Sequence, residues 1–94
     1  MLIINPLFHL GDVVATPQSI YVLSESGMSV QSLLQRHATG DWGNLCTDDI
    51  NANNDALQYG DRLLSSYVLS DSCKVWVITE WDRSVTTILL PCEY

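Results

Sequence analysis

The period of the sequence changes at Arg62, and that change decides the class of fold. Before Gly60 the apolar residues fall at helical spacing: Val30, Leu33, Leu34 and His37 stand at i, i+3, i+4 and i+7 and share one face. From Arg62 onward three runs, Arg62 to Leu69, Lys74 to Trp81 and Val85 to Leu90, are rich in Val, Ile, Thr, Tyr and Trp. Short polar turns at 70–73 and 82–84 separate them, so they read as an antiparallel meander. In the middle run Val75, Val77, Thr79 and Trp81 alternate to one face, and Lys74, Trp76, Ile78 and Glu80 to the other. Neither face is purely polar. Helices are therefore expected to cover one, leaving the other partly exposed or in an interface.

The first half carries its own punctuation. Residues 12–15 read as a short strand, an optional addition to the sheet. Thr16 before Pro17 matches a helix cap with proline in the first turn, giving a helix from Pro17 to Ser26 that stops at Gly27. Ser29 caps a second helix, which Gly40 closes, and residues 40–44 form a loop. Thr47 is placed as the cap of a third helix ending at Gly60, with Asp48 and Asp49 in the first turn, where the helix dipole favours them. Its apolar content is thin, so it belongs on the surface. The expected fold is α+β, one domain over residues 1–94. N-terminal helices pack on a C-terminal three- to four-stranded antiparallel meander.

Composition narrows the classes of function. With 94 residues and 47% hydrophobic content the chain can bury one core and little more. Four basic residues against eleven acidic ones, net −7, argue against direct contact with nucleic acid. Cys46, Cys73 and Cys92 are odd in number and lack paired spacing, which reads as reduced, partly buried thiols in a cytoplasmic protein. The apolar N-terminus has no positive charge and is interrupted by Asn5, Pro6 and His9. It is neither a signal peptide nor a membrane segment, and no membrane association is expected.

Chemistry-bearing residues are few. No phosphate loop or dinucleotide fingerprint occurs, so no cofactor is expected. His9 and His37 lack metal-ligand spacing. The one metal set weighed, His37 with Asp41 and Cys46, is weak, and no metal is expected. Glu80 and Asp82 form a carboxylate pair two residues apart, against the simpler reading that Asp82 and Arg83 belong to a turn. One alternative is a small metal-independent ribonuclease or toxin, since helices followed by an antiparallel sheet is also the layout of barnase-like and RelE-like nucleases. Its base would be His37, with Arg62 or Arg83 stabilising the phosphorane and Tyr67 and Thr86 as further parts. Four cations are few for RNA, and a histidine on an apolar stripe is usually packed. A non-enzymatic role is favoured.

The middle of the chain points elsewhere. Asp41, Asp48, Asp49, Asp55 and Asp61 fall within twenty-one residues that hold no Lys or Arg. On a helix, a spacing of seven returns to nearly the same face, about 20° off. Such a surface repels DNA and attracts a basic groove. The expected partner is therefore the basic surface of a nucleic-acid-handling complex. Trp42, in the loop beside Asp41, either joins that surface or plugs the core. A homodimer through the exposed sheet face is a third reading.

Three stretches carry a resemblance: Arg36-His37-Ala38-Thr39-Gly40-Asp41-Trp42-Gly43, Asn54-Asp55-Ala56-Leu57-Gln58-Tyr59-Gly60, and the C-terminal run 76–91 that begins Trp76-Val77-Ile78-Thr79-Glu80. Together they resemble a family of small bacterial proteins borne on plasmids and other mobile elements. The resemblance covers about residues 5–94. The sequence departs from the pattern at Trp81, where a small residue is expected. The resemblance assigns no catalytic role. It implies a setting, an accessory gene of a mobile element. Such elements carry small acidic proteins that blunt host restriction or CRISPR systems.

Overall fold

The first two helices begin where a hydroxyl can accept an N–H that the helix itself leaves unpaired. The Thr16 side chain accepts from the Ser19 N–H and that of Ser29 from the Ser32 N–H. The computed structural model describes residues 3–69 and 73–94. Its elements are β1 (Asp12–Ala15), α1 (Pro17–Glu25), α2 (Val30–Ala38), α3 (Thr47–Tyr59), β2 (Leu63–Val68), β3 (Lys74–Thr79) and β4 (Val85–Leu89), closed by a 3-10 turn at Pro91–Glu93. Two expectations shift by a residue or two. Thr47 is the first residue of α3, preceded by Cys46, which makes no side-chain cap. Trp81 lies beyond β3 in a turn, 67% exposed, and so does not share the inner face. The turn expected at 70–73 falls outside the described residues except for Cys73, whose carbonyl accepts the Leu69 N–H at 2.7 Å.

The class is α+β, but the sheet is mixed, with order β1-β4-β3-β2. Strands β2, β3 and β4 form the expected antiparallel meander, whereas β1 runs parallel to β4, Val13 opposite Thr86. The reason lies in the junction of β1 with α1. The Thr16 N–H donates to the Ile88 carbonyl at 3.0 Å, and the Ser19 hydroxyl reaches the same oxygen at 3.1 Å. Running parallel to β4 sets the start of α1 on that strand's far end and delivers Leu23 to the core.

The helices cover one face. Leu23 of α1 and Leu33 and Leu34 of α2 pack on Tyr67, Val75, Val77 and Ile88, all buried. A second cluster joins Trp42 and Leu63 to Ala56 of α3, which as expected lies on the surface with most of its residues exposed. On the opposite face Val14, Val68 and Lys74 are exposed, and Tyr94 meets the half-buried Trp76 edge-on at 5.8 Å between ring centres. No helix among the described residues is long and apolar enough to cross a membrane. All three cysteines are exposed, not partly buried, because Cys46 and Cys73 stand just before α3 and β3 and Cys92 lies in the 3-10 turn, none on an inward stripe.

Candidate functional site

The stretch 36–43 joins α2 to the edge of β2, and each of its side chains has a mechanical task. The Arg36 guanidinium lies 4.5 Å from the Tyr67 ring centre and donates to Asp41 at 2.7 and 3.3 Å. Hydrogen bonding from Arg36 holds the Asp41 carboxyl below its ordinary range. Asp41 also accepts the Gly43 N–H at 3.2 Å, and its own carbonyl accepts the Tyr67 hydroxyl at 2.7 Å. Burial raises the Tyr67 phenol to about 12. Gly43 has φ +74°, and a Cβ there would collide with the carbonyl of Ser66. Glycine is what lets the loop pair with β2.

His37 is fully buried. Its Nδ1 lies 2.5 Å from the Ser65 hydroxyl and its Nε2 2.9 Å from the Thr79 hydroxyl. Thr79 is in turn 2.7 Å from the Thr86 hydroxyl, which donates to the Leu10 carbonyl at 2.7 Å. That last acceptor fixes the proton on Nε2: Thr86 donates to Leu10, so Thr79 donates to Thr86 and His37 Nε2–H donates to Thr79. Desolvation, aided by the positive charge of Arg83, pushes the imidazole pKa down to about 3. The ring is therefore neutral, and Nδ1 accepts from the Ser65 hydroxyl. The series ties α2 to β2, β3, β4 and the N-terminal segment.

These placements bear on each candidate residue. Phe8 separates His37 from Arg83, its ring 5.2 Å from the imidazole and 5.7 Å from the guanidinium. Arg83, at φ +60° in the β3–β4 turn, donates to the carbonyls of Asp61 (2.7 Å), Glu80 (3.1 Å), Trp81 (3.3 Å) and Ala56 (3.1 Å). Arg62 is engaged with Tyr94, donating to its hydroxyl with its guanidinium 5.4 Å from the ring centre. The five ribonuclease parts thus do not meet in a cleft: His37, Tyr67 and Thr86 are buried, and the two arginines point to separate tasks. Asp82 accepts from the Ser84 N–H and hydroxyl at 3.1 and 2.6 Å, which makes it a turn residue and not half of a carboxylate pair. The metal set fails as well, since both nitrogens of His37 are bonded and Asp41 is held by Arg36.

Of the six partner-binding candidates, Trp42 leaves the surface reading and Asp41, though exposed, stands apart from the others. Trp42 is 5% exposed, stacked 6.2 Å from Phe8 and edge-on 5.7 Å from His37, so it is a core plug. Asp41 stands in the loop before α3, not on the helix, and forms the one ion pair among the described residues. The remaining four are exposed. Asp48 and Asp55 share the outer face of α3, Asp49 sits about 100° round from Asp48, and Asp61 follows the C-terminal Gly60. Ala56 and Asn53 occupy the buried face.

Sequence reasoning missed Ser65, Thr79 and Asn53. A signal existed for the first two. Thr79 alternates with Val75 and Val77 on a buried face, and His37 interrupts an apolar helical stripe. Two polar groups destined for one core require each other. No protein-family model, curated protein or solved structure matches this chain.

Proposed function

We propose that this chain is a small, non-enzymatic, acidic interaction protein. On this reading it occupies the basic surface of a nucleic-acid-handling complex, as a mobile-element product that blunts host restriction or CRISPR defence would. One observation carries the reading. Asp48, Asp49, Asp55 and Asp61 stand exposed with no ion pair among the described residues, while Arg36, Arg62 and Arg83 are turned to Asp41, Tyr94 and backbone carbonyls. The carboxylates of α3 are therefore left outward, while three of the four cations are engaged within the fold and the fourth, Lys74, stands exposed on the outer face of the sheet. Complementary potential of this kind steers association and sets specificity.

The test is charge reversal against a panel of purified CRISPR effector and restriction complexes, with displacement of bound DNA as the readout. Wild-type protein is expected to displace DNA from at least one complex, with affinity that falls as salt rises. Asp48→Lys, Asp49→Lys and Asp55→Lys combined should abolish displacement while leaving the circular dichroism unchanged. Binding that is indifferent to both the triple reversal and salt would sink the reading.

A further inference from the structure

Each arginine of this fold lies over a ring: Arg36 over Tyr67, Arg62 over Tyr94 and Arg83 over Phe8, at 4.5, 5.4 and 5.7 Å from the ring centres. The rings of Trp81 and Tyr59 have no such cover. They are 67% and 72% exposed, and among the described residues neither meets another ring or a guanidinium. The fourth cation, Lys74, opens β3, whereas Trp81 lies past its end, so roughly 20 Å of strand separates them. Tyr21 is also open, but α1 follows β1, at the edge of the sheet opposite the α3 contact.

Local structure brings the two uncovered residues to one junction. Asp48, Asp55 and Tyr59 stand at i, i+7 and i+11 of α3, within about 40° of one another, so Tyr59 ends the acidic stripe. Gly60, at φ +82°, then turns the chain into Asp61. Arg83 fastens the β3–β4 turn to this end of the helix. Its Nη1 donates to the carbonyls of both Asp61 and Trp81, at 2.7 and 3.3 Å, and its Nη2 to that of Ala56 at 3.1 Å. Two carbonyls bonded to one nitrogen are neighbours. The turn is also closed within itself: the Arg83 N–H donates to the Glu80 carbonyl at 2.9 Å, the Glu80 N–H to the Val85 carbonyl at 3.0 Å, and Asp82 accepts from Ser84. A fixed backbone therefore presents Trp81 outward, and ordering that binding would otherwise require is already complete.

We infer that Trp81, with Tyr59 beside it, anchors the acidic face and takes an arginine side chain from the basic surface of a protein partner. The inference rests on the acidic-face reading and names the side chain that face recognises. A guanidinium lies flat on a ring while its N–H groups reach a carboxylate, which an ammonium on a flexible stem does less well. Tryptophan, tyrosine and arginine are also the residues enriched where binding energy concentrates in interfaces. Charge selects the occupant. An open tryptophan also suits a nucleobase or a membrane surface, but the exposed Asp55, Asp61 and Asp82 repel the phosphates of both. A second copy of this chain would set the same carboxylates against its own, and its arginines are already engaged with Asp41, Tyr94 and backbone carbonyls.

Octa-arginine and octa-lysine peptides, equal in charge, are the probes, and the indole N–H signals in NMR are the readout. Octa-arginine is expected to shift the Trp81 signal, leave that of the buried Trp42 in place, and bind about three- to tenfold tighter than octa-lysine. Trp81→Ala should bind the two peptides equally, and Tyr59→Ser should lose part of the preference. The combined Asp48→Lys, Asp49→Lys, Asp55→Lys reversal should weaken both peptides alike, so it reports on the acidic face while Trp81→Ala reports on the anchor. A Trp81→Ala protein that keeps the full preference for arginine, yet loses both peptides on charge reversal, overturns the anchor and leaves the face standing. Binding indifferent to the reversal and to salt overturns both. A Trp81 signal moved by single-stranded oligothymidylate or by phosphatidylglycerol vesicles, and not by octa-arginine, overturns the choice of occupant. Should Trp81→Ala fail to fold, Trp81→Leu decides, since it keeps apolar bulk without a ring face.

Discussion

A single buried imidazole makes this fold sensitive to acid. The unfolded chain protonates His37 near its ordinary pKa of 6.5, whereas the folded protein resists until about 3. Between those values the unfolded state binds the extra proton, so stability rises with pH and is lost as pH falls through that window. From pH 7 to pH 5 the loss amounts to something on the order of 2 kcal/mol, a range in which most carboxylates keep their charge. Urea titrations at the two pH values measure it directly. The His37→Gln variant, which has no titrating group, is expected to be less stable at pH 7 yet nearly flat across the same interval. An equal slope in both proteins would mean that some other group supplies the proton. Simple deletion behaves differently: His37→Ala strands the hydroxyls of Ser65 and Thr79 in the core and should cost roughly 2–5 kcal/mol at any pH.

At the scale of elements, Asn53 does the work of a neighbouring strand. One amide group satisfies both the N–H and the C=O of Leu64, so α3 closes an edge that would otherwise invite another chain. Replacing Asn53 with Ala leaves both groups unpaired beneath the helix and should cost about 2–4 kcal/mol in stability. Asp at this position keeps the acceptor but aims a carboxylate at the Leu64 carbonyl, so it should be no milder. Hydrogen exchange locates the effect, with the Leu64 amide losing protection before its neighbours in β3. A uniform loss across the sheet would show that Asn53 acts on the whole core and not on the edge. None of this is written in the period of the sequence. Caps and breakers were legible because each is local: Thr16 with Pro17, Ser29, and Gly60 at φ +82° all act within one turn. The inward positions of β3, at Val75, Val77 and Thr79, were legible for the same reason. The parallel pairing of β1 with β4 was not, since partners stand 73 positions apart and nothing in four residues of strand names the one it will join. The acidic spacing misled in a related way. Asp41 sits seven residues before Asp48, but the helix that would align them begins only at Thr47. Trp42 could not be placed until Phe8 and His37 were seen to enclose it.

Over the whole molecule the acidic charges outnumber the basic ones, and few are paired. Net charge −7 on 94 residues is self-repulsion that any compact state must bear, and one ion pair among the described residues offsets little of it. The members of the acidic set are not equivalent. Asp48 and Asp49 lie in the first turn of α3, where the helix dipole favours them by a few tenths of a kcal/mol each. Asp55 stands in the third turn and Asp61 past the C-terminus, where the dipole gives nothing or opposes them. If repulsion dominates, added salt must stabilise the protein by screening it, and the melting temperature should rise between about 10 mM and 500 mM NaCl as the Debye length falls from about 30 Å to a few ångströms. The Asp55→Asn, Asp61→Asn double variant should start higher at low salt, by a few degrees, and converge with the wild type at high salt. The Asp48→Asn, Asp49→Asn variant should gain less or lose stability, because the dipole contribution disappears along with the repulsion. A melting temperature that falls with salt would mean that the Arg36–Asp41 pair and the cations around α3 outweigh the surplus. Carboxylates found to lower the stability of the isolated chain, at positions where amides would fit, would support the proposed interaction surface, because a partner's charge and not the fold would then compensate them.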